Sequence, residues 1–467
     1  MFILRAIYSS GKQAFRMSEA QPIADANDLN ESTSDSSCPI SNLPTEIMVD
    51  IFLYCLADDG ESTYINFQQP PFLLTHVCSR WREISIHMPA LWTTFHVEGT
   101  IAALPCLPQV AETWTERSRG SILSIRIRTL EMNVDILPTL EVLGRHSPRI
   151  RALEIYSPNT KNFSGMHQFI KGDLWSLQNL SLLFLTTDVP DEEFSVYLPG
   201  VGMPLLREFM LNGIPPVFLT FPWAQLTNFT GELFTAEQCL YALRQMPNLT
   251  VCALAPLRLS THFGIGTYEI STHPNIRHFT LFDLSSVTWG NLMSSITLPS
   301  LQILEFRCVA IDNLMFHDFF SRSASPLQKL SMRPPGLWPA HLSLRSPFTA
   351  SGLTHIEIWD PSKKLVAKFS ESLATQADFL RHLQHLSFPT GCPQPPFSTS
   401  ILEIARLSGP AIAARRHLVL PGCALFESFR VTSSDNDCSE TMFSSADLVL
   451  FRALKASGIG TESVSFV

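Results

Sequence analysis

Two rhythms of apolar positions divide the chain. In the first, Ile47, Ile51, Phe52, Cys55 and Leu56 recur at helical spacing, while Glu46 and Asp50 fall off that stripe. Pro44 suits a first helical turn, where its missing N–H is not needed, and Glu46 suits the positive end of the dipole. After a polar gap, Leu74, Val77, Cys78, Trp81 and Ile84 make a second stripe, with Arg80, Arg82 and Glu83 largely off it. The pattern predicts two or three small helices in about fifty residues, too few to bury a core alone.

The second rhythm is a phrase of the form apolar-x-x-apolar-x-apolar. It reads Ile150-Leu153-Ile155, Leu177-Leu180-Leu182, Leu206-Phe209-Leu211, Leu249-Cys252-Leu254 and Ile276-Phe279-Leu281. It continues as Leu301-Leu304-Phe306, Leu327-Leu330-Met332, Leu353-Ile356-Ile358 and Leu383-Leu386-Phe388, with a degenerate copy at Leu226-Phe229 and a late one at Phe426-Phe429-Val431. Copies begin roughly 20 to 30 residues apart before a wider final gap, the period of leucine-rich repeats. The last two positions alternate as on a strand, so each phrase supplies one short strand that needs neighbours to bury it. The intervening segments return outside as helices or turns. Val134 to His146 and Glu237 to Gln245 have helical spacing, and Pro148, Pro204, Pro247, Pro274 and Pro299 stop what precedes each strand. Upstream, Val110 to Arg119 reads as a helix stopped by Gly120, and Ile122 to Arg128 as the strand that starts the array. The consensus asparagine of the commonest repeats is missing from most copies. After Val431, Thr432 to Glu440 reads as a loop and Ala446 to Ala456 as a closing helix.

Leu43-Pro44, the apolar beats after Glu46, and Val77-Cys78-Ser79-Arg80-Trp81 followed by Pro89-Ala90-Leu91-Trp92 resemble the F-box-like domains abundant in mushroom-forming fungi. The resemblance implies helices that dock on the Skp adaptor of a Skp-cullin-F-box ubiquitin ligase, while the rest of the chain selects a target protein. Carried over, Leu43, Pro44, Ile47, Ile51, Leu74, Val77, Cys78 and Trp81 form or support the adaptor-facing surface. Ala57 to Pro70 lengthens the link between the helices relative to the tightest family pattern. The expected fold is α/β: a disordered extension over 1–38, an F-box-like helical domain over 39–98, and a divergent leucine-rich-repeat solenoid over 99–467.

At 467 residues and 45% hydrophobic content the chain can bury a large core. Lys and Arg number 33 against 42 Asp and Glu, and no basic run could neutralise a row of phosphates, which argues against nucleic acid. Ten cysteines are scattered singly and read as reduced core residues. Five N-x-S/T tripeptides, at Asn30, Asn162, Asn179, Asn228 and Asn248, read as chance matches. Residues 1–16 hold Arg5, Lys12 and Arg16 and no acid; they fit a transit peptide, a disordered extension, or an upstream start with Met17 as initiator. Ser18 to Ser37 lack a periodic apolar face and are expected to be disordered. No stretch approaches twenty apolar residues, so no membrane span is expected and the location is cytoplasmic, nuclear or both.

Phosphate-binding glycine loops, nucleophile elbows and dinucleotide fingerprints are absent from the sequence, so a non-enzyme without cofactor is expected. His382 and His385, with Cys392 beyond, lack a fourth ligand, and no metal site is expected. Non-core strand positions would line the inner face of the array: Arg207, Glu208, Arg277, His278, Glu305, Lys329, His355, Glu357, His385 and Arg430. Their mixed signs suit a protein partner. The two functions left open are a ligase substrate receptor and a leucine-rich-repeat interaction scaffold whose N-terminal helices only cap the array.

Overall fold

A computed structural model describes residues 42–56, 65, 69–99, 105–158, 162, 174–184, 196–197, 202–255, 269–284, 286–308, 313–323, 326–333, 352–376, 379–390, 404, 406–412 and 427–433. The chain divides into two units at Met48 and Val49, and every strand of the main sheet belongs to the second. The fold is mixed α/β around one 13-stranded parallel sheet whose strands follow one another in chain order. They are β1 (Thr94–Glu98), β2 (Leu123–Arg128), β3 (Ile150–Tyr156), β4 (Asn179–Leu183), β5 (Glu208–Asn212), β6 (Asn228–Glu232) and β7 (Val251–Ala255). Then come β8 (His278–Leu284), β9 (Ile303–Cys308), β10 (Lys329–Arg333), β11 (His355–Ile358), β12 (His385–Thr390) and β13 (Ser428–Ser433).

The repeated phrase fixes the register. Its middle residues stand opposite one another from strand to strand: Phe95, Ile125, Leu153, Leu180, Phe209, Phe229, Cys252, Phe279, Leu304, Leu330, Ile356, Leu386 and Phe429. None is more than 3% exposed, so this row is the spine of the core. From β4 to β12, the carbonyl just before each strand accepts two successive N–H groups from the following unit. Gln178 serves Arg207 and Glu208, Arg207 serves Thr227 and Asn228, and the pattern continues through Gln302 and Thr354 to Gln384, which serves Glu427 and Ser428.

The return segments carry helices where the sequence allows. Ala236–Gln245 begins with a reciprocal cap, Thr235 accepting from the Gln238 N–H and Gln238 accepting from the Thr235 N–H. Leu107–Arg117, Leu137–Gly144 and Lys363–Thr375 fill other returns. Arg119, at φ 50°, adopts the left-handed conformation after Leu107–Arg117; the expected stop at Gly120 moves one residue earlier.

Three expectations change. The second apolar stripe is not one helix: Cys78, in extended conformation, separates the helix Phe72–Val77 from the helix Ser79–His87, and its sulfur accepts from the Trp81 N–H. Leu74 is therefore buried while Val77 is 52% exposed. Secondly, the sheet starts at Thr94, not Ile122, inside the segment assigned to the helical domain. Trp92, Trp114, Phe72 and Phe95 form one aromatic cluster with centroids 5.0 to 5.7 Å apart, so packing runs across the expected boundary at 98 and 99. The degenerate copy at Leu226-Phe229 belongs, as expected of a copy, to a full strand. Its third apolar position is Gly231, where a Cβ would lie 2.8 Å from the ring of fully buried Phe234, so that ring fills the space a larger residue would take. Thirdly, Thr432 and Ser433, expected in a loop, extend β13. The segments 1–37 and 446–456 lie outside the described residues.

Leu304→Ala or Leu386→Ala should cost about 2–5 kcal/mol in denaturant unfolding, whereas Gln302→Ala should be nearly neutral. Gly231→Ala should destabilise by about 1–3 kcal/mol, and Phe234→Ala should make that substitution less costly in a double-mutant cycle.

Candidate functional site

Strand residues that point away from the core form a polar face with two unlike regions. Over β8 to β13 the charges pair with one another. Lys329 Nζ lies 2.9 Å from Glu305 and 3.7 Å from Glu357, and His278 Nε2 lies 3.8 Å from Glu305. The His278 imidazole, followed by the Lys329 ammonium, holds the Glu305 carboxyl at about 2 against the upward effect of burial. Burial alone would lower Lys329, but Glu305 and Glu357 outweigh it and raise the ammonium above its ordinary value.

Beside this network the rings of His355 and His385 stack, with centroids 4.1 Å apart and planes 27° from parallel. Thr354 Oγ1 lies 2.8 Å from His355 Nδ1 and Ser428 Oγ lies 2.7 Å from His385 Nδ1, fixing both rings. Burial, then the His385 and Lys329 charges, push His355 below the usual imidazole value. His382 sits exposed in the turn before β12 and Cys392 lies outside the described residues. Among the described residues no group of three or more His, Cys, Asp and Glu is placed to hold a metal.

Over β1 to β7 the face is a groove of about 740 Å³. The register puts Ser124, Ala152, Asn179, Glu208, Asn228 and Val251 in one row along its floor. Arg126 and Arg128 both pair with Glu154, at 2.8 and 2.6 Å. Glu208 instead accepts from two neutral side-chain amides, those of Asn179 and Asn228. One wall comes from the link between the first helices: Leu56, Ile65, Pro70 and Pro71 border the groove, and the Ile65 N–H donates to the His96 carbonyl of β1 at 2.6 Å.

The residues expected on this face divide accordingly. Glu208, His278, Glu305, Lys329, His355, Glu357 and His385 are strand residues. Arg207 and Arg277 instead occupy the position before a strand, where their carbonyls serve the ladder, and Arg207 turns its guanidinium back onto the Pro204 and Leu206 carbonyls. Arg430 lies in β13 opposite Ser387, and its side chain is outside the described set. The groove wall was not legible in sequence, because the link holding Ile65 has no apolar period.

Among residues expected to face an adaptor, Pro44, Ile47, Val77 and Cys78 are exposed, and Leu43, Ile51 and Trp81 are half-buried. Leu74 is only 3% exposed and acts as core, and the Trp81 ring packs 5.0 Å from Phe52. Two tripeptide asparagines on the strands, Asn179 and Asn228, are tied to Glu208, while Asn162 is 1% exposed and binds the Val134 carbonyl and the Ile136 N–H. Among the described residues no helix is long and apolar enough to cross a membrane.

Comparison with protein-family models finds no match to this chain. Comparison with curated proteins finds none either.

A carboxyl held low in the folded state contributes stability above its ordinary value of 4.5, and that contribution fades as pH falls toward about 2. Glu305→Gln should therefore lower the urea midpoint at neutral pH, and the gap to the parent should close between pH 4.5 and about 2. A gap independent of pH would place the effect in packing.

Proposed function

We propose that the chain is the substrate-recognition subunit of a Skp-cullin-F-box ubiquitin ligase, working in the cytoplasm, the nucleus or both. On this reading the N-terminal helices form an F-box-like domain that holds the Skp adaptor, the ladder is a divergent leucine-rich-repeat solenoid that holds a target protein, and neither region performs chemistry.

One observation carries the reading. Of the thirteen large apolar side chains exposed among the described residues, four, Leu53, Tyr54, Leu73 and Val77, fall on two short helical stretches of the second unit. Side chains displayed at such density mark a surface that a partner covers. They come from the segment whose Leu43-Pro44 and Val77-Cys78-Ser79-Arg80-Trp81 resemble the family. The ladder supplies the complementary property, a long face of fixed side chains without a metal cluster among the described residues.

A second reading, an interaction scaffold with the helices as a cap, draws on the aromatic cluster that joins Phe72 and Trp92 to Trp114 and Phe95. The two readings differ in adaptor capture. Recombinant Skp adaptor should co-purify with the parent and be lost from Leu73→Glu plus Val77→Glu, with no change in melting temperature because both side chains are exposed. Trp81→Ala should lose capture together with stability, since it removes the ring packed on Phe52. A parent chain that captures no adaptor leaves the scaffold as the function.

A further inference from the structure

We propose that the groove over β1 to β7 receives an extended peptide of a partner protein, carrying one basic side chain to Glu208 and one apolar side chain to the wall of Leu56 and Ile65. The inference rests on the receptor reading in taking the strand face as the target side. It is independent of adaptor binding.

Shape argues for a linear occupant. With Thr94 of β1, which stands opposite Ser124, the floor row crosses seven strands, and neighbouring strands stand about 4.8 Å apart, so the trench is roughly 29 Å long. A volume of about 740 Å³ drawn out along such a floor fits one extended chain better than a compact ligand. Chemistry then narrows the class. A polyanion would meet Glu154 and Glu208, and the cation lining the groove, Arg126, is already paired with Glu154. A glycan would want exposed rings to stack on, whereas the aromatic residues bordering the groove, Trp114, Phe209 and Phe229, are only 1 to 3% exposed.

Glu208 sets the polarity of the occupant. Asn179 and Asn228 donate one N–H to each of its two oxygens, which orients the carboxylate and leaves its charge uncompensated; among the described residues no cation approaches it. A carboxylate offers about four lone-pair sites, so acceptors remain for a guanidinium or ammonium. Among the described residues over β8 to β13, His278, Glu305, Lys329, Glu357, His355 and His385 each already meet an opposite charge or a fixed hydroxyl, and a ligand there would have to displace it. The apolar wall stands beside β1 and Glu208 stands on β5, four strand spacings away. That separation is roughly 19 Å, or five to six extended residues between the two anchors.

Selection of a random nonapeptide display library on the full chain tests this. The expected pool pairs Arg or Lys with an aliphatic or aromatic residue five or six positions apart. A fluorescein-labelled peptide from that pool should bind Glu208→Lys at least about tenfold more weakly by anisotropy, and Glu208→Gln more weakly with a reduced salt dependence. His385→Ala should bind it as the parent does, and all three variants should melt with the parent. An acidic pool, no enrichment, or equal affinity for Glu208→Lys overturns the proposal. Adaptor capture on the same preparation separates the two readings. Enrichment without capture removes the ligase role and keeps the groove, and capture without enrichment does the reverse.

Discussion

Every strand of the sheet depends on burial that only its neighbours can supply. The row from Phe95 to Phe429 places one apolar side chain per strand directly against the next, and a single strand of four to seven residues could not shield it. Stability is therefore built from neighbour contacts, and a defect at one position is felt by the two units beside it. The same rule makes the first strand a liability, because β1 has a partner on one side only. Two features answer it: the Trp92, Trp114, Phe72 and Phe95 cluster closes that end of the core, and the Ile65 N–H takes the carbonyl of His96.

With one side of every strand committed to the spine, the other side is free to vary, and the two halves of the face have used that freedom differently. From β8 onward the described charges of Glu305, Lys329 and Glu357 pair across strands. Over β1 to β7 small and polar residues leave room above the floor, and Glu208 is met by amides rather than by a cation. One half thus spends its charge on itself, while the other keeps a carboxylate available.

Much of the ladder was legible because the phrase is periodic and its positions are chemically simple; all ten phrases whose residues are fully described, the degenerate one included, lie in or just before a strand of the sheet. What escaped was non-periodic. In β1 the sequence Thr94 to Glu98 holds a buried histidine between two apolar residues and sits directly after a helical segment, so period alone did not separate it. The break at Cys78 hides inside a run whose apolar spacing continues as if helical. The degenerate phrase did not show what fills its missing third position, the Phe234 ring three residues beyond Gly231. Pairings such as Lys329 with Glu305 or His385 with Ser428 join residues 24 and 43 positions apart, and no local pattern encodes them.

The carbonyl before each strand from β4 to β12 has a consequence for how such a chain can change over generations. By accepting two successive N–H groups it fixes where the following strand begins, whatever the chain does in between: Arg207 reaches Thr227 after 20 residues and Gln384 reaches Glu427 after 43. Insertions between strands are thereby uncoupled from alignment. A lineage can lengthen, shorten or exchange the connecting segments and rewrite the open face one unit at a time, without re-solving the fold at each step.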